Sequence, residues 1–230
     1  MAISVTNLGT TFNASATTTI PLTLSTSVPA GSLIIFFGAE RSTTNTSTVT
    51  DSSSNTYSSA LAVSMNNTAL QGYSKIFYAQ NAIALSSGNT ITWTLASSNK
   101  GTCGAVYATG AATTSALDAT SSAFGSSTTP TGTSHATGAA NYLVFAMGGT
   151  ASGINTLTAD TTNGWTNTPG AINSGTGSGA NSCGEYWINP GTGTKTFTLT
   201  NSSSTNWAII FASFKVSAAT NNGNLLKLFW

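Results

Sequence analysis

The segment Gly31-Ser-Leu-Ile-Ile-Phe-Phe-Gly38 returns later in the chain as Asn141-Tyr-Leu-Val-Phe-Ala-Met-Gly148. Four further pairs follow in the same order: Val49–Tyr57 with Leu157–Trp165, Phe77-Tyr78 with Tyr186-Trp187, Ile91–Leu95 with Thr196–Leu199, and Ala105–Tyr107 with Ile209–Phe211. The offset is 110 residues for the first pair (141 minus 31) and 104 for the last (209 minus 105). Since solenoid repeats are far shorter, a period of this length predicts the internal duplication of a whole domain.

The apolar residues of both copies recur with period two. Ile91, Trp93 and Leu95 are separated by threonines, and so are Phe197 and Leu199. Threonine that alternates with aromatic and β-branched residues is typical of half-buried antiparallel strands. Turn clusters rich in Ser, Asn and Gly separate many such short segments. The sequence therefore predicts an all-β fold of two tandem antiparallel β-sandwiches, of the jelly-roll or immunoglobulin-like type.

Three segments are apolar on both faces: Leu33–Phe37, Tyr142–Met147 and Trp207–Phe211. They predict central strands that are covered on both sides, or strands at a contact between the domains. Pro21 interrupts the alternating run from Ile20 to Leu24 and indicates an edge strand. Residues 111–119 are the only stretch in which one or two helical turns are expected.

The repeat divides the chain into a first sandwich domain at 1–113 and a second at 114–218, with a linker and an apolar tail at 219–230. The apolar residues of the tail are Leu225, Leu226, Leu228, Phe229 and Trp230. Two interpretations of the tail stay open. It folds back onto its own domain as a last strand, or it docks on a neighbouring subunit.

The composition separates this chain from most soluble proteins. Only 5% of its 230 residues are charged and its formal net charge is +1, yet 40% are hydrophobic and 9% aromatic. The apolar content argues against disorder. The lack of basic clusters argues against binding to nucleic acid or to anionic membranes. A nearly neutral surface suits a subunit fixed in an assembly better than a freely diffusing enzyme.

No signal-peptide pattern is visible in the first residues, so we expect synthesis and folding in a cytosol. A surface rich in Ser, Thr and Asn is nevertheless typical of proteins that work outside cells. Both features together are expected of a component of a virus particle made in the host cytoplasm.

Asp51 and Asp160 occupy matching positions in the two copies, each before a Ser/Thr/Asn turn and an aromatic residue. One interpretation is a cation or sugar site in each domain, but Ca²⁺ generally requires more than one carboxylate. An Asx turn needs a single aspartate and is the favoured interpretation. The aromatic residues Tyr57 and Trp165 are candidates for stacking on sugar rings, although an aromatic at the start of a strand is more often part of a core.

No catalytic, metal or cofactor site is predicted. Glycosidases need two neighbouring carboxylates, which the sequence does not display. His135 is the only histidine and is expected in a solvated loop. Cys103 and Cys183 are expected to be buried free thiols. Glu40-Arg41 and the isolated lysines are interpreted as ordinary surface charges.

The segments Val28-Pro-Ala-Gly-Ser-Leu-Ile-Ile and Val49-Thr-Asp-Ser-Ser-Ser-Asn-Thr-Tyr57 resemble β-sandwich modules in the virion proteins of tailed bacteriophages. The resemblance covers residues 28–108 well and residues 141–216 less well. The second copy has Ala139-Ala-Asn-Tyr where the first copy has Val28-Pro-Ala-Gly. The resemblance implies a capsid decoration protein, a head fibre or a tail-associated module, and it carries over no catalytic residues.

These observations predict a non-enzymatic structural protein of a phage virion. Its expected partners are further copies of itself and other capsid or tail proteins, with the apolar tail as the docking segment. The alternative is a glycan-binding adhesin or receptor-binding module that recognises a host-surface glycan through the regions around Tyr57 and Trp165.

Overall fold

The computed structural model describes residues 2–65, 72–137, 142–175, 179–189 and 192–217, and within these ranges all regular secondary structure is β. The strands of the first half are β1 (Ser4–Phe12), β2 (Thr17–Thr23), β3 (Leu33–Glu40), β4 (Thr48–Asp51), β5 (Ser58–Ser64), β6 (Tyr73–Ala79), β7 (Thr90–Asn99) and β8 (Gly101–Thr109). Those of the second half are β9 (Leu117–Ser127), β10 (Thr131–Thr133), β11 (Tyr142–Thr150), β12 (Leu157–Thr158), β13 (Thr166–Ile172), β14 (Asn181–Asn189), β15 (Thr196–Thr198), β16 (Thr200–Asn201) and β17 (Thr205–Lys215).

The first half is an antiparallel sandwich of two sheets. One sheet has the strand order β1-β8-β3-β6-β5 and the other has the order β2-β7-β4. The pairs are nested, since β1 pairs with β8, β2 with β7 and β3 with β6. This nesting is the connectivity of a jelly roll. Pro21 lies in β2 at the edge of the smaller sheet, as the sequence predicts.

The second half repeats this arrangement strand by strand. Its large sheet has the order β9-β17-β11-β14-β13, and its outer strands form the two short pairs β10-β15 and β12-β16. Strands β9, β17, β11, β14 and β13 take the places that β1, β8, β3, β6 and β5 have in the first half, so the strand order of the two large sheets is the same. The predicted all-β sandwich fold is confirmed, while the common origin of the halves by duplication stays a prediction from the sequence.

The predicted boundary between residues 113 and 114 falls in the connection from β8 to β9. No helix is present in the described part of this region, and β9 already begins at Leu117, so the helical turns expected over 111–119 are wrong. The apolar tail, from Leu225 to Trp230, lies outside the described residues.

The two five-stranded sheets pack face to face and bury a shared core. Its fully or nearly fully buried residues are Leu33, Ile35, Phe37, Ala39, Met65, Ile76, Val106, Ala108 and Ala111 from the first half, and Ala116, Leu143, Phe145, Met147, Ala151, Ile172, Ala180, Ala208, Ile210, Ala212 and Phe214 from the second. Strands β3, β11 and β17 are therefore covered on both sides, as their doubly apolar sequences predict.

Each half also has an outer core between its large sheet and its small outer strands. The outer core of the first half is centred on Trp93 and Phe36, whose rings lie 5.9 Å apart in an edge-on arrangement. That of the second half contains Trp165, Phe197 and Phe211. The molecule thus has four β layers and three apolar interiors, and the middle interior joins the halves.

The two large sheets approach each other closely at Phe37. Its ring contacts Phe145 of the second half at a centroid distance of 5.4 Å. A Cβ atom placed on Gly104 or on Gly184 would lie 2.7 Å or 2.6 Å from that ring. The ring therefore lies between one glycine of its own half and one glycine of the other, and neither position has room for a side chain.

The contacts between the large sheets come in equivalent pairs. Strand β1 packs on β13 and β5 packs on β9, while β3 packs on β11. Because β9 and β13 are the counterparts of β1 and β5, the two halves are related by a pseudo-twofold axis that passes between β3 and β11. The interface has the self-complementary arrangement of a symmetric homodimer.

Two hydrogen bonds across the shared core follow the same symmetry. Ser74 Oγ donates to the carbonyl oxygen of Ala208 at 3.0 Å, and Thr102 Oγ1 donates to Ser182 Oγ at 2.8 Å. The strand registers make Ser74 the counterpart of Ser182 and Thr102 the counterpart of Ala208. Both halves therefore use the same two positions to satisfy buried hydroxyl groups.

The structure corrects one pair of the sequence alignment. Tyr78 and Tyr186 both pack against the shared core, whereas Phe77 and Trp187 face the outer cores of their own halves. The counterpart of Tyr78 is therefore Tyr186 and not Trp187, because neighbouring residues of a strand face opposite sides. The match of Phe77-Tyr78 with Tyr186-Trp187 is wrong by one residue.

The first described residue, the connection between the halves and the last described residue meet at one end of the molecule, the terminal pole. Ser217 N donates to Gly110 O and Ala112 N donates to Lys215 O, both at 2.8 Å. A Cβ atom on Gly110 would lie 2.5 Å from the carbonyl oxygen of Ala2. The chain that follows residue 217 therefore starts from this pole.

We predict that Phe37→Ala destabilises both halves together. The substitution leaves a cavity in the shared core and is expected to lower the free energy of unfolding by about 3–5 kcal/mol. Phe124→Ala is the matched control: this side chain is 58% exposed, so a change of about 0.5 kcal/mol or less is expected. Chemical denaturation followed by tryptophan fluorescence and by circular dichroism would measure both. Two separate transitions in the unsubstituted protein, only one of which moves in Phe37→Ala, would contradict the prediction.

Candidate functional site

The turn after β4 is built around the Asp51 carboxylate. Its Oδ1 accepts hydrogen bonds from the backbone N–H groups of Ser53 at 2.9 Å and Asn55 at 3.1 Å. Its Oδ2 accepts from Asn55 Nδ2 and from the Tyr57 hydroxyl, both at 2.9 Å. These contacts are those of an Asx turn, and they occupy both oxygens of the carboxylate.

Tyr57 is half-buried against the outer core of the first half. Burial and the neighbouring Asp51 carboxylate raise the pKa of its hydroxyl, which therefore stays protonated and donates to Asp51. Asn55 in addition bonds both backbone groups of Ile83, which belongs to the connection after β6. Asp51 and Tyr57 therefore stabilise the turn after β4, which Asn55 joins to the connection after β6 at the terminal pole.

The matching turn in the second half is more deeply buried. Asp160 Oδ1 accepts from Thr162 N at 2.8 Å and from Asn163 N at 2.9 Å. Its Oδ2 accepts from Asn163 Nδ2 and from Thr198 N, both at 2.7 Å. Burial by itself raises the pKa of Asp160, but these hydrogen bonds stabilise the anion and the net effect is a lowered pKa.

Glu185 lies beside Asp160 in the interior of the second half. It is fully buried, and its Oε1 accepts from the backbone N–H of Asp160 at 2.8 Å and from the Cys183 thiol at 3.6 Å. Its Oε2 has no hydrogen-bond partner in the described structure. Burial raises the pKa of Glu185 to about 7, with a further contribution from the Asp160 charge, against the lowering effect of the two hydrogen bonds. Two adjacent carboxyl groups thus have pKa values displaced in opposite directions.

Trp165 is part of the outer core of the second half. Its side chain is only 7% exposed, and its Nε1 donates to Thr196 O at 2.7 Å. The ring makes edge-on contacts with Phe197 and Trp187. The Lys195 ammonium group lies 5.4 Å from its ring centroid. The ring is therefore covered by protein, which is the core role that the sequence favoured, and it offers no open face for a sugar.

Lys75 and Glu40 form an ion pair in the interior of the first half, with Nζ 2.5 Å from Oε1 and both side chains fully buried. Lys75 Nζ also donates to Ser47 Oγ at 2.6 Å. The expectation that these residues are surface charges is wrong. Lys75 lies in a strand whose other residues are mostly apolar, and Glu40 ends a long apolar run. Those neighbours were the sequence signal that both side chains point inward.

His135 is half-buried, so its placement in a solvated loop is wrong. Its Nε2 lies 2.7 Å from Ser213 Oγ, but Ser213 is fully buried, and within the described part of the chain the Nδ1 atom of His135 has no partner. Asp118 contacts Lys215 instead, at 3.6 Å. A hydrolytic triad requires an acid on Nδ1 and an accessible hydroxyl, so this arrangement is not one. Burial lowers the pKa of His135, against the opposing effect of Asp118.

Cys103 and Cys183 are both buried free thiols, as the sequence predicts. Burial raises the pKa of each thiol, and for Cys183 the charges of Glu185 and Asp160 add to the effect. A raised pKa keeps both sulfur atoms protonated and unreactive at neutral pH.

No group of three or more His, Cys, Asp or Glu side chains in the described ranges is placed to hold a metal ion. In the same part of the chain no helix is long and apolar enough to cross a membrane.

Comparison with known proteins gave no relative: no family model, no curated protein and no solved structure matches the chain. The fold itself therefore defines the class, which is an all-β protein of two sandwiches that share a core. The candidate functional positions are the two aspartate turns, at the half-buried Asp51 and the buried Asp160, and two buried ionisable pairs, Lys75–Glu40 and Asp160–Glu185.

We predict a pH-dependent stability that depends on Glu185. In the folded protein its carboxyl keeps a proton up to about pH 7, whereas the unfolded chain loses it near the ordinary pKa of 4.5. Between these pH values the folded state binds more protons, so its free energy of unfolding falls as the pH rises. Glu185→Gln removes this pH-dependent contribution to the free energy of unfolding and keeps an oxygen that accepts the hydrogen bond from Asp160 N. Between pH 4.5 and a pH above 7, the free energy of unfolding of the variant should rise by about 2–3 kcal/mol relative to that of the unsubstituted protein.

The measurement is urea denaturation at a series of pH values. Asp118→Asn is the control, since this carboxyl is partly exposed in its contact with Lys215 and should give no comparable gain. Parallel stability curves for Glu185→Gln and the unsubstituted protein would contradict the prediction.

Proposed function

We propose that this chain is a non-enzymatic structural protein of a tailed-phage particle, most simply a decoration or fibre protein of the capsid surface. In this role it assembles with further copies of itself or with the shell. The observation that carries the proposal is a four-layered block whose halves share a core and whose chain leaves residue 217 at one defined pole.

The shared core supports a mechanical role. Two separate sandwiches would move on a linker, and a contact between domains is ordinarily small and polar. Here the contact is instead a buried and mainly apolar interior, with ring contacts between Phe37 and Phe145 at 5.4 Å and between Tyr78 and Phe214 at 5.6 Å. A block of this kind holds its two ends at a fixed distance, as a surface or fibre component of a particle requires.

The distribution of ionisable groups supports the same proposal. Asp51 and Asp160 stabilise turns, and Lys75, Glu40 and Glu185 are buried. Few charges are therefore left for the surface, which consists mainly of hydroxyl and amide groups. A surface of this kind suits dense packing beside identical neighbours, because it carries little repulsive charge.

The terminal pole supplies a place for attachment. Residue 217 hydrogen-bonds to Gly110 there, so the described part of the chain ends beside the connection of the two halves. Burial of the large apolar side chains of the tail in a partner would contribute roughly 1.5–3 kcal/mol for each residue. We propose that the tail docks on a second copy or on the shell.

The first prediction concerns assembly. The full chain should be oligomeric, and a chain ending at Ser217 should be monomeric with an unchanged circular dichroism spectrum, because the sandwiches do not need the tail to fold. Light scattering coupled to gel filtration measures both masses. The control is a full-length chain in which Leu225, Leu228 and Trp230 are replaced by Ser, which keeps the length and removes the apolar surface. Equal native masses for all three chains would exclude the tail as the assembly segment.

The second prediction concerns location. Particles purified by density gradient from cells that encode this chain should contain it at a constant ratio to the major shell protein, as measured by quantitative mass spectrometry. Antibodies against the two sandwiches should label intact particles in electron micrographs. Recovery of the chain only in the particle-free fraction would contradict the proposed function.

A further inference from the structure

The buried pair in the first half has the geometry of two reactants. Lys75 lies on β6 opposite Gly38, and Glu40 lies two residues further along β3, so their side chains meet diagonally across neighbouring strands. Lys75 Nζ is 2.5 Å from Glu40 Oε1 and 2.6 Å from Ser47 Oγ. Both reacting side chains are fully buried.

As an ion pair this arrangement is costly. Two charges have been removed from water, and Glu40 Oε2 is buried with no hydrogen-bond partner among the described residues. An unsatisfied oxygen of a buried carboxylate carries its full desolvation cost. A neutral product that uses the same atoms and eliminates one of the two oxygens would relieve this cost.

We propose that Lys75 and Glu40 condense to form an intramolecular amide that links β3 covalently to β6. The Nζ amine of Lys75 attacks the carboxyl carbon of Glu40 in the neutral form of the pair, in which the carboxyl group carries the proton. A C–N bond forms, the C–O bond of the hydroxyl oxygen breaks, and the oxygen leaves as water with two protons that come from the carboxyl group and the amine. No oxidant, reductant or cofactor takes part.

Four features of the site favour this reaction. Burial lowers the pKa of Lys75, against the opposing effect of Glu40, and so favours the neutral, nucleophilic amine. The two strands hold amine and carboxyl in contact, and fixed reactants of this kind reach effective concentrations of about 10⁵–10⁸ M. Ser47 accepts a hydrogen bond from Nζ and keeps the amine beside the carboxyl group. Exclusion of water from the pair opposes the reverse hydrolysis.

The cross-link would belong to the first half alone. The strand registers place Thr150 and Cys183 at the positions that correspond to Glu40 and Lys75, and these two side chains cannot form an amide. The inference goes beyond the proposed structural role, because it assigns a covalent modification to named atoms and holds whatever the protein assembles with.

The test is a mass measurement on the full-length protein. The intact mass under denaturing conditions should be lower than that of the sequence by one water molecule. Trypsin should fail to cleave after Lys75, so that peptide 1–41 stays joined to peptide 42–100. The result that overturns the proposal is a mass equal to that of the sequence, with free peptides 42–75 and 76–100. A lighter protein that still yields these two free peptides has lost water elsewhere and overturns it as well.

The double variant Glu40→Gln/Lys75→Met is the matched control. It lacks the amine and the charge, keeps side chains of similar size, and undergoes the same N-terminal processing. Its intact mass should equal the sequence mass, and it should yield peptide 1–41 in free form. Because both masses are read from denatured protein, the comparison holds even where a variant folds poorly.

Discussion

The close approach of the two large sheets at Phe37 is the constraint on which the rest of the structure depends. The ring fills the space between the sheets only because Gly104 and Gly184 have no side chains there. Once the sheets are in contact, β3 and β11 are buried on both faces, and their continuous apolar sequences follow from this position. The neutral outer surface is then left to the edge strands and turns, where Ser, Thr and Asn replace charged residues.

The pseudo-twofold relation accounts for which positions are alike and which differ. At the shared core the halves use equivalent positions, as the hydrogen bonds of Ser74 and Ser182 illustrate. In the outer cores the two halves differ. The first half places Lys75 against Glu40, whereas the second places Glu185 against the Asp160 turn. Residues of the shared core must fit the packing of both halves at once. Each outer core contacts only its own half, so its buried polar residues can differ from those of the other half.

The sequence was sufficient for the fold class, the doubly buried strands and the two aspartate turns, because period two and turn chemistry are local signals. It was insufficient for register: a shift of one residue between Tyr78 and Tyr186 is invisible in composition yet moves a side chain to the other face. It also missed Lys75–Glu40, since these two residues lie on different strands and are 35 positions apart in the sequence. His135 was misplaced for the same reason, because its contact Ser213 lies on a distant strand.

The meeting of Ala2, Gly110 and Ser217 at one pole means that the order of the halves along the chain is not essential to their contacts. A polypeptide opened in the connection 110–116, with residue 217 joined to residue 2 by a short bridge, would keep every strand pair and the shared core. The packing of the two halves therefore does not depend on which of them comes first along the chain.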